Sequence, residues 1–167
     1  AFCMPSLRSS SKGRKINMEY VIKNGLFKHH LDSKEKLIAV KLFVNGWVVT
    51  DSIGNTKASI RREDNGVKCE SWTASFIPEE TTVLRVPGLK EVTMKNSNGR
   101  EYHFIKEKGC FLLDQEGKTW RIKGIGSRRS ILDLPDEFSP LDAMVLFCTL
   151  QIAEEKIREK ALRFLNE

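Results

Sequence analysis

Between Tyr20 and Leu134, apolar and polar residues trade places at every second position in short runs. Trp120 and Ile122 share one face of Thr119–Lys123, with Arg121 and Lys123 on the other. Tyr102, Phe104 and Lys106 oppose His103 and Ile105. Farther back, Cys69, Ser71, Thr73 and Ser75 oppose Lys68, Glu70, Trp72, Ala74 and Phe76. A period of two is the mark of a strand with one buried and one solvated face. The same reading covers Ile38–Val44, Trp47–Asp51, Lys57–Arg61, Thr82–Val86, Glu91–Asn96 and Cys110–Asp114. Asn- and Gly-bearing turns punctuate these runs at Asn45-Gly46, Gly54-Asn55, Asp64-Asn65-Gly66, Pro87-Gly88, Asn98-Gly99 and Asp114–Gly117. Such residues supply the positive φ that tight hairpins need. The pattern predicts a mainly β protein of about ten to twelve antiparallel strands. So many short strands with no helix between them predict closure into a barrel, which removes the exposed edges.

The period changes at Ser139-Pro140-Leu141-Asp142. Ser caps, Pro suits the first helical position, and an acid follows three residues after the cap. The spacing predicts a helix over 140–165, with Ala143–Cys148 apolar on every side and therefore surrounded by protein. Farther on, only the stripe Leu150, Ala153, Ile157, Ala161 and Phe164 is apolar, among Glu154, Glu155, Arg158, Glu159, Lys160 and Arg163. The expected C-terminal α-helix packs inside or against the barrel with its first half and emerges with its second.

Composition bounds the rest. The 167 residues carry 28 Lys plus Arg against 22 Asp plus Glu, a formal charge of +6. That length fits one domain. Residues 1–17 hold Arg8, Lys12, Arg14, Lys15 and no acid, so they account for +4 of that charge. They read as a basic disordered arm, a transit-peptide remnant or an expression leftover, with residues 18–167 as the single domain. Lys118–Arg129 alone supplies +5, which makes the remainder of 18–167 slightly acidic. No apolar run is long enough for a transmembrane helix. Four cysteines are too few for a disulfide scaffold. Free thiols favour an intracellular protein, cytoplasmic or membrane-peripheral, with organelle import conceivable if the basic arm is native.

An antiparallel barrel threaded by one C-terminal apolar helix resembles the tubby C-terminal-like superfamily, which includes the phospholipid scramblases and the LURP-one-related proteins. The resemblance is carried by Met18–Phe27, by strand pairs such as Phe111–Lys118, and by the helical stretch Asp142–Ala153. It implies about twelve strands around a central helix and, in some members, phosphoinositide headgroups bound by cations on a barrel face. The charged continuation Glu154–Glu167 departs from a helix that ends in the barrel and suggests a protein partner.

The candidate anion site is Lys118, Arg121, Lys123, Arg128 and Arg129, with Gly124-Ile125-Gly126-Ser127 in their midst. Backbone N–H groups in a glycine-rich bend, flanked by cations, hold phosphates. The bland alternative is a solvated strand and loop. Gly124-Ile125-Gly126 lacks the third glycine of a dinucleotide fingerprint, so no cofactor is expected. Lys57, Arg61 and Arg62 are offset by Glu63 and Asp64. Nucleic acid fits less well, because Trp120 alternates with Ile122 as a core residue does. Cys3, Cys69, Cys110 and Cys148 have no metal-ligand spacing, and His29 and His30 point to opposite faces, so no metal is expected. Cys110 and His103 could in principle meet across a hairpin as a thiol and a base, but no catalytic pattern surrounds either. Asp133, Asp136 and Glu137 read as a solvated linker before the helix.

These residues point to a non-enzymatic binding or scaffold protein that associates with anionic membrane lipid, or alternatively an accessory subunit of a larger protein or ribonucleoprotein assembly. A barrel holding a small apolar ligand and an enzyme using Cys110 are the remaining classes. The helix fills the space the first would need, and no catalytic pattern supports the second.

Overall fold

The structure is a computed structural model and describes residues 17–42, 46–63, 66–71, 80–83, 91–95 and 101–166. Twelve antiparallel strands form one sheet, as the alternation predicts. They are β1 (Asn17–Asn24), β2 (Lys28–Asp32), β3 (Lys36–Leu42), β4 (Gly46–Asp51), β5 (Thr56–Glu63), β6 (Gly66–Ser71), β7 (Glu80–Val83), β8 (Glu91–Lys95), β9 (Glu101–Glu107), β10 (Cys110–Gln115), β11 (Lys118–Lys123) and β12 (Arg129–Pro135). One helix follows, α1 (Pro140–Asn166). The spatial order is β6-β5-β4-β3-β2-β1-β12-β11-β10-β9-β8-β7. The first strand thus pairs with the last, from Asn17↔Pro135 to Lys23↔Arg129. The basic arm 1–16, the parts 72–76 and 84–86 of the expected runs, and the turns Pro87-Gly88 and Asn98-Gly99 lie outside the described residues.

Inward-facing residues make one continuous core. Tyr20, Ile22, Leu31, Leu37, Ala39, Val49, Ile60, Val92, Phe104, Phe111, Leu113, Ile122 and Leu132 are buried on the concave face. Ala143–Cys148 of α1 is wholly buried, as its all-round apolar character requires. The expected barrel is not shown as such: the sheet is not closed by a ladder among the described residues. Its end strands β6 and β7 instead lie in contact with each other, and α1 packs against both, as well as against β3, β4 and β5. The helix thus backs onto the seam, and on its other side Gln151 faces Asn24 of β1 and the loop before β12 across the pocket described below.

The start of α1 follows its cap signals. Asp142 N–H donates to Ser139 Oγ at 3.1 Å, and Ser139 N–H donates to the Asp142 carboxylate at 3.0 Å, a reciprocal capping box. Tyr20 donates its hydroxyl to the Phe138 carbonyl at 2.6 Å and ties the linker to β1. From this end α1 runs the length of the sheet and leaves at the other. There Lys106 pairs with Glu154 at 3.1 Å, Arg62 binds Glu159 and lies 3.7 Å from Glu155, and Lys156 donates to the Glu63 carbonyl. Past this exit Leu162 and Leu165 are exposed, as is Ala161, the next member of the expected apolar stripe after buried Ile157.

Candidate functional site

Strand direction sorts the charges between the two ends. The turns at the end where α1 starts carry Asp32, Glu35, Asp51, Asp114, Glu116, Asp136 and Glu137, against Lys34, Lys36 and Lys118. The turns at the opposite end carry Lys23, Lys28, Lys41, Lys106, Lys108, Lys123, Arg128 and Arg129 against Glu63 and Glu107, with Glu154 of α1 paired to Lys106. The slightly acidic body read from the sequence is an acidic end and a basic end.

The five expected anion ligands therefore do not form one cluster. Lys118 follows the turn at the acidic end, about 17 Å along β11 from Lys123 at strand spacing. Arg121 and Lys123 project outward, on either side of buried Ile122. Arg128 lies in the β11–β12 loop, and Arg129 opens β12 on the outer face. What the sequence did not reveal is the continuation of this group across strands. Arg129 stands opposite Lys23 of β1, and Lys23 stands opposite His30 of β2. The row Arg129, Lys23, His30 forms only when the first strand meets the last, which local patterning does not encode; Lys123 stands off that row, opposite Ile131. Below it Glu19 faces Asp133, so the basic row occupies one half of the outer face.

The Gly124–Ser127 bend is built differently from the expected phosphate cradle. Gly124 has φ +78°, and a Cβ there would lie 2.3 Å from the Arg129 carbonyl oxygen, so only glycine fits. Gly124 N–H donates to Gly109 O at 3.4 Å, and Ser127 N–H donates to Gly124 O at 2.9 Å. Asn24 Nδ2 donates to Ser127 O at 2.8 Å and Ser130 Oγ at 2.7 Å. Two of the four amides, those of Gly124 and Ser127, are thus already bonded, and the cradle is reduced to Ile125, Gly126 and the flanking cationic side chains.

Beside this loop, the β1–β2 turn displays Leu26 and Phe27, 86% and 69% exposed. Their backbone is pinned. Gly25 N–H donates to Lys28 O at 2.8 Å, and Lys41 N–H donates to Phe27 O at 2.9 Å. The turn holds two large apolar side chains in water, flanked by Lys23, Lys28 and Arg128. The sequence signal was present: two apolar residues directly after Gly25, outside any alternation.

Between the two loops and α1 lies a pocket of about 360 Å³, with Asn24, His29, Gly126, Arg128 and Gln151 in its lining. His29, read from sequence only as facing opposite to His30, is 2% exposed. Its ring lies 4.2 Å from that of Trp47 and meets Phe147 edge-on at 5.0 Å. Burial pushes the imidazole down to about 4; the nearby Gln151 amide favours the cation, and His30 and Lys41 oppose it. Gln151 nonetheless does not reach hydrogen-bond geometry, and both ring nitrogens lack a partner.

The thiol candidates separate. Cys110 stands opposite Glu107 at the basic end and His103 opposite Asp114 nearer the acidic end, so they do not meet. Burial drives the Cys148 thiol far upward, as for an inert core residue. Among the described residues no group of three metal-ligating side chains forms, and no helix is long and apolar enough to cross a membrane. Comparison with known proteins finds no family model, curated protein or solved structure that matches this chain.

Proposed function

We propose that this protein is a non-enzymatic membrane-surface binder that docks its basic end on anionic phospholipid. The observation that carries the reading is the pairing of Leu26 and Phe27 with the surrounding cations Lys23, Lys28, Lys123, Arg128 and Arg129. None of these five is ion-paired among the described residues. Each cation near an anionic bilayer contributes about 1 kcal/mol. Burying an exposed Leu or Phe in the headgroup boundary adds about 1.5–3 kcal/mol each. Neither term alone anchors a protein stably, but together they do. The reading agrees with what the tubby-like resemblance implies for lipid headgroups, but it rests on different residues, since Lys118 takes no part.

Vesicle co-sedimentation tests it. Vesicles containing phosphatidylserine should retain the protein and pure phosphatidylcholine should not. The double variant Arg128→Glu, Arg129→Glu should abolish retention. Equal retention of that variant would refute the reading. The alternative, an accessory subunit docking through the end of α1, draws on exposed Leu162 and Leu165, at 55% and 80%. It would be favoured if Leu162→Ser with Leu165→Ser removed a co-purifying protein while vesicle binding stayed absent in both forms.

A further inference from the structure

The ladder between β1 and β2 is short. It ends at Ile22↔Leu31, although β1 runs on to Asn17 against β12 and β2 runs on to Asp32 against β3. Where these two strands cease to pair, a pocket of about 540 Å³ opens on the outer face, a volume in the range of small-ligand sites. Alternation and register decide which side chains meet there. Ile22, Leu31 and Leu37 point into the core, so Val21, Lys23, His30, Asp32, Lys36 and Ile38 point outward. All six line the pocket, two from each of three adjacent strands. Lys23, His30, Asp32 and Lys36 are exposed, and Val21 and Ile38 are half-buried.

The charges of this lining do not cancel. Asp32, its one acid, stands opposite Lys36. Lys23 stands between His30 on one side and Arg129 on the other, with no acid in that row. None of the four polar groups is ion-paired among the described residues. Lys36 offsets Asp32, which leaves one positive charge, at Lys23, beside an imidazole. A guest carrying a single negative charge matches it. An ammonium would face two lysines. Inorganic phosphate, close to a dianion, exceeds that charge and leaves Val21 and Ile38 uncovered. A neutral apolar guest covers those two and gives Lys23 no partner. A carboxylate accepts from the Lys23 ammonium and from a His30 ring N–H, and its bond to the ammonium is charge-assisted. The Ser52 hydroxyl, from the turn after β4, adds a neutral donor to the same lining.

We propose that this pocket binds an organic carboxylate with an apolar body, its head on Lys23 and His30 and its body across Val21 and Ile38. Of the groups that carry the membrane reading, only Lys23 lines this pocket. The inference stands whether or not the protein docks on lipid.

Octanoate is the probe, titrated into the full chain and read at the backbone amide NMR signals of His30 and Ile38. These should shift saturably. Octanol and inorganic phosphate, which offer the tail and the charge alone, should each bind at least about tenfold more weakly. Lys23→Gln should weaken octanoate by about tenfold or more, the loss of one charge-assisted hydrogen bond. Ile38→Ser should weaken it by about tenfold through lost apolar contact, and should leave retention on phosphatidylserine vesicles unchanged. Leu26→Ser with Phe27→Ser should do the reverse. The inference is overturned by shifts that do not saturate, by octanol or phosphate binding as tightly as octanoate, or by full affinity in Lys23→Gln or Ile38→Ser. Loss of the octanoate response in the Leu26, Phe27 double variant would also overturn it, by placing the probe on the β1–β2 turn. A failed vesicle assay with the octanoate results intact removes the membrane reading alone, so either can fail without the other.

Discussion

Arg129 of β12 and Lys23 of β1 stand directly opposite each other on the outer face, with His30 next in the same row. Like charges facing across a ladder destabilise a sheet by about 0.2–1 kcal/mol. The fold carries this cost where its first and last strands join. Lys23→Glu should therefore raise the denaturant midpoint, by about 0.5 kcal/mol in stability. It should also weaken retention on phosphatidylserine vesicles by about tenfold or more, since one attraction becomes a repulsion. A variant that is no more stable and binds as well as the parent would show that the row is a solvated face.

The β1–β2 turn makes an opposite pair of readouts. Leu26 and Phe27 are exposed and contribute little to the core, so Leu26→Ser with Phe27→Ser should leave thermal unfolding within about 0.5 kcal/mol of the parent. Vesicle retention should fall sharply, while its salt dependence should steepen as the electrostatic part comes to dominate. Retention insensitive to these changes would assign membrane binding to charge alone.

How far such features were legible beforehand depends on their range. Alternation in Thr119–Lys123 put Arg121 and Lys123 outward correctly, and Ser139-Pro140 marked the start of α1, because both signals are local. The pairing of β1 with β12, which brings Lys23 to Arg129, spans more than a hundred residues and leaves no local trace. The Gly124–Ser127 bend was legible as a glycine turn. Two of its amides are consumed, by Gly109 and by the turn itself, and only the packed neighbours reveal that. His29 looked like half of an unremarkable His-His pair. Its place in a pocket follows from its packing on Phe147 and beside Gln151 of α1, more than a hundred residues away.

The helix core should be the costliest place to cut. Phe147 is fully buried, and its ring meets His29 edge-on at 5.0 Å. Phe147→Ala should lower stability by about 3–5 kcal/mol, through lost transfer energy and the cavity left behind. It should also loosen the His29 ring, so that amide exchange accelerates at His29 as well as along Met144–Cys148. Protection unchanged at both places would contradict a helix enclosed by this sheet.

His29 gives the fold a defined acid sensitivity. Its folded value, about 4, lies below the ordinary 6.5 because burial disfavours the charged ring. Above about pH 7 the imidazole is neutral in both folded and unfolded chains and does not affect their balance. As pH falls from 6.5 toward 4, the unfolded chain takes up a proton that the folded chain refuses, and stability is lost. The shift corresponds to about 3 kcal/mol by the time the folded ring itself titrates. His29→Phe removes the group and keeps the ring packed on Trp47, so its stability should change less between about pH 7.5 and 4.5, a window that brackets most of the shift. Surrounding carboxylates titrate in both proteins, so the difference between the two slopes isolates His29. Identical slopes would mean that the ring gains its proton in the folded state without penalty, so that water reaches it despite its 2% exposure.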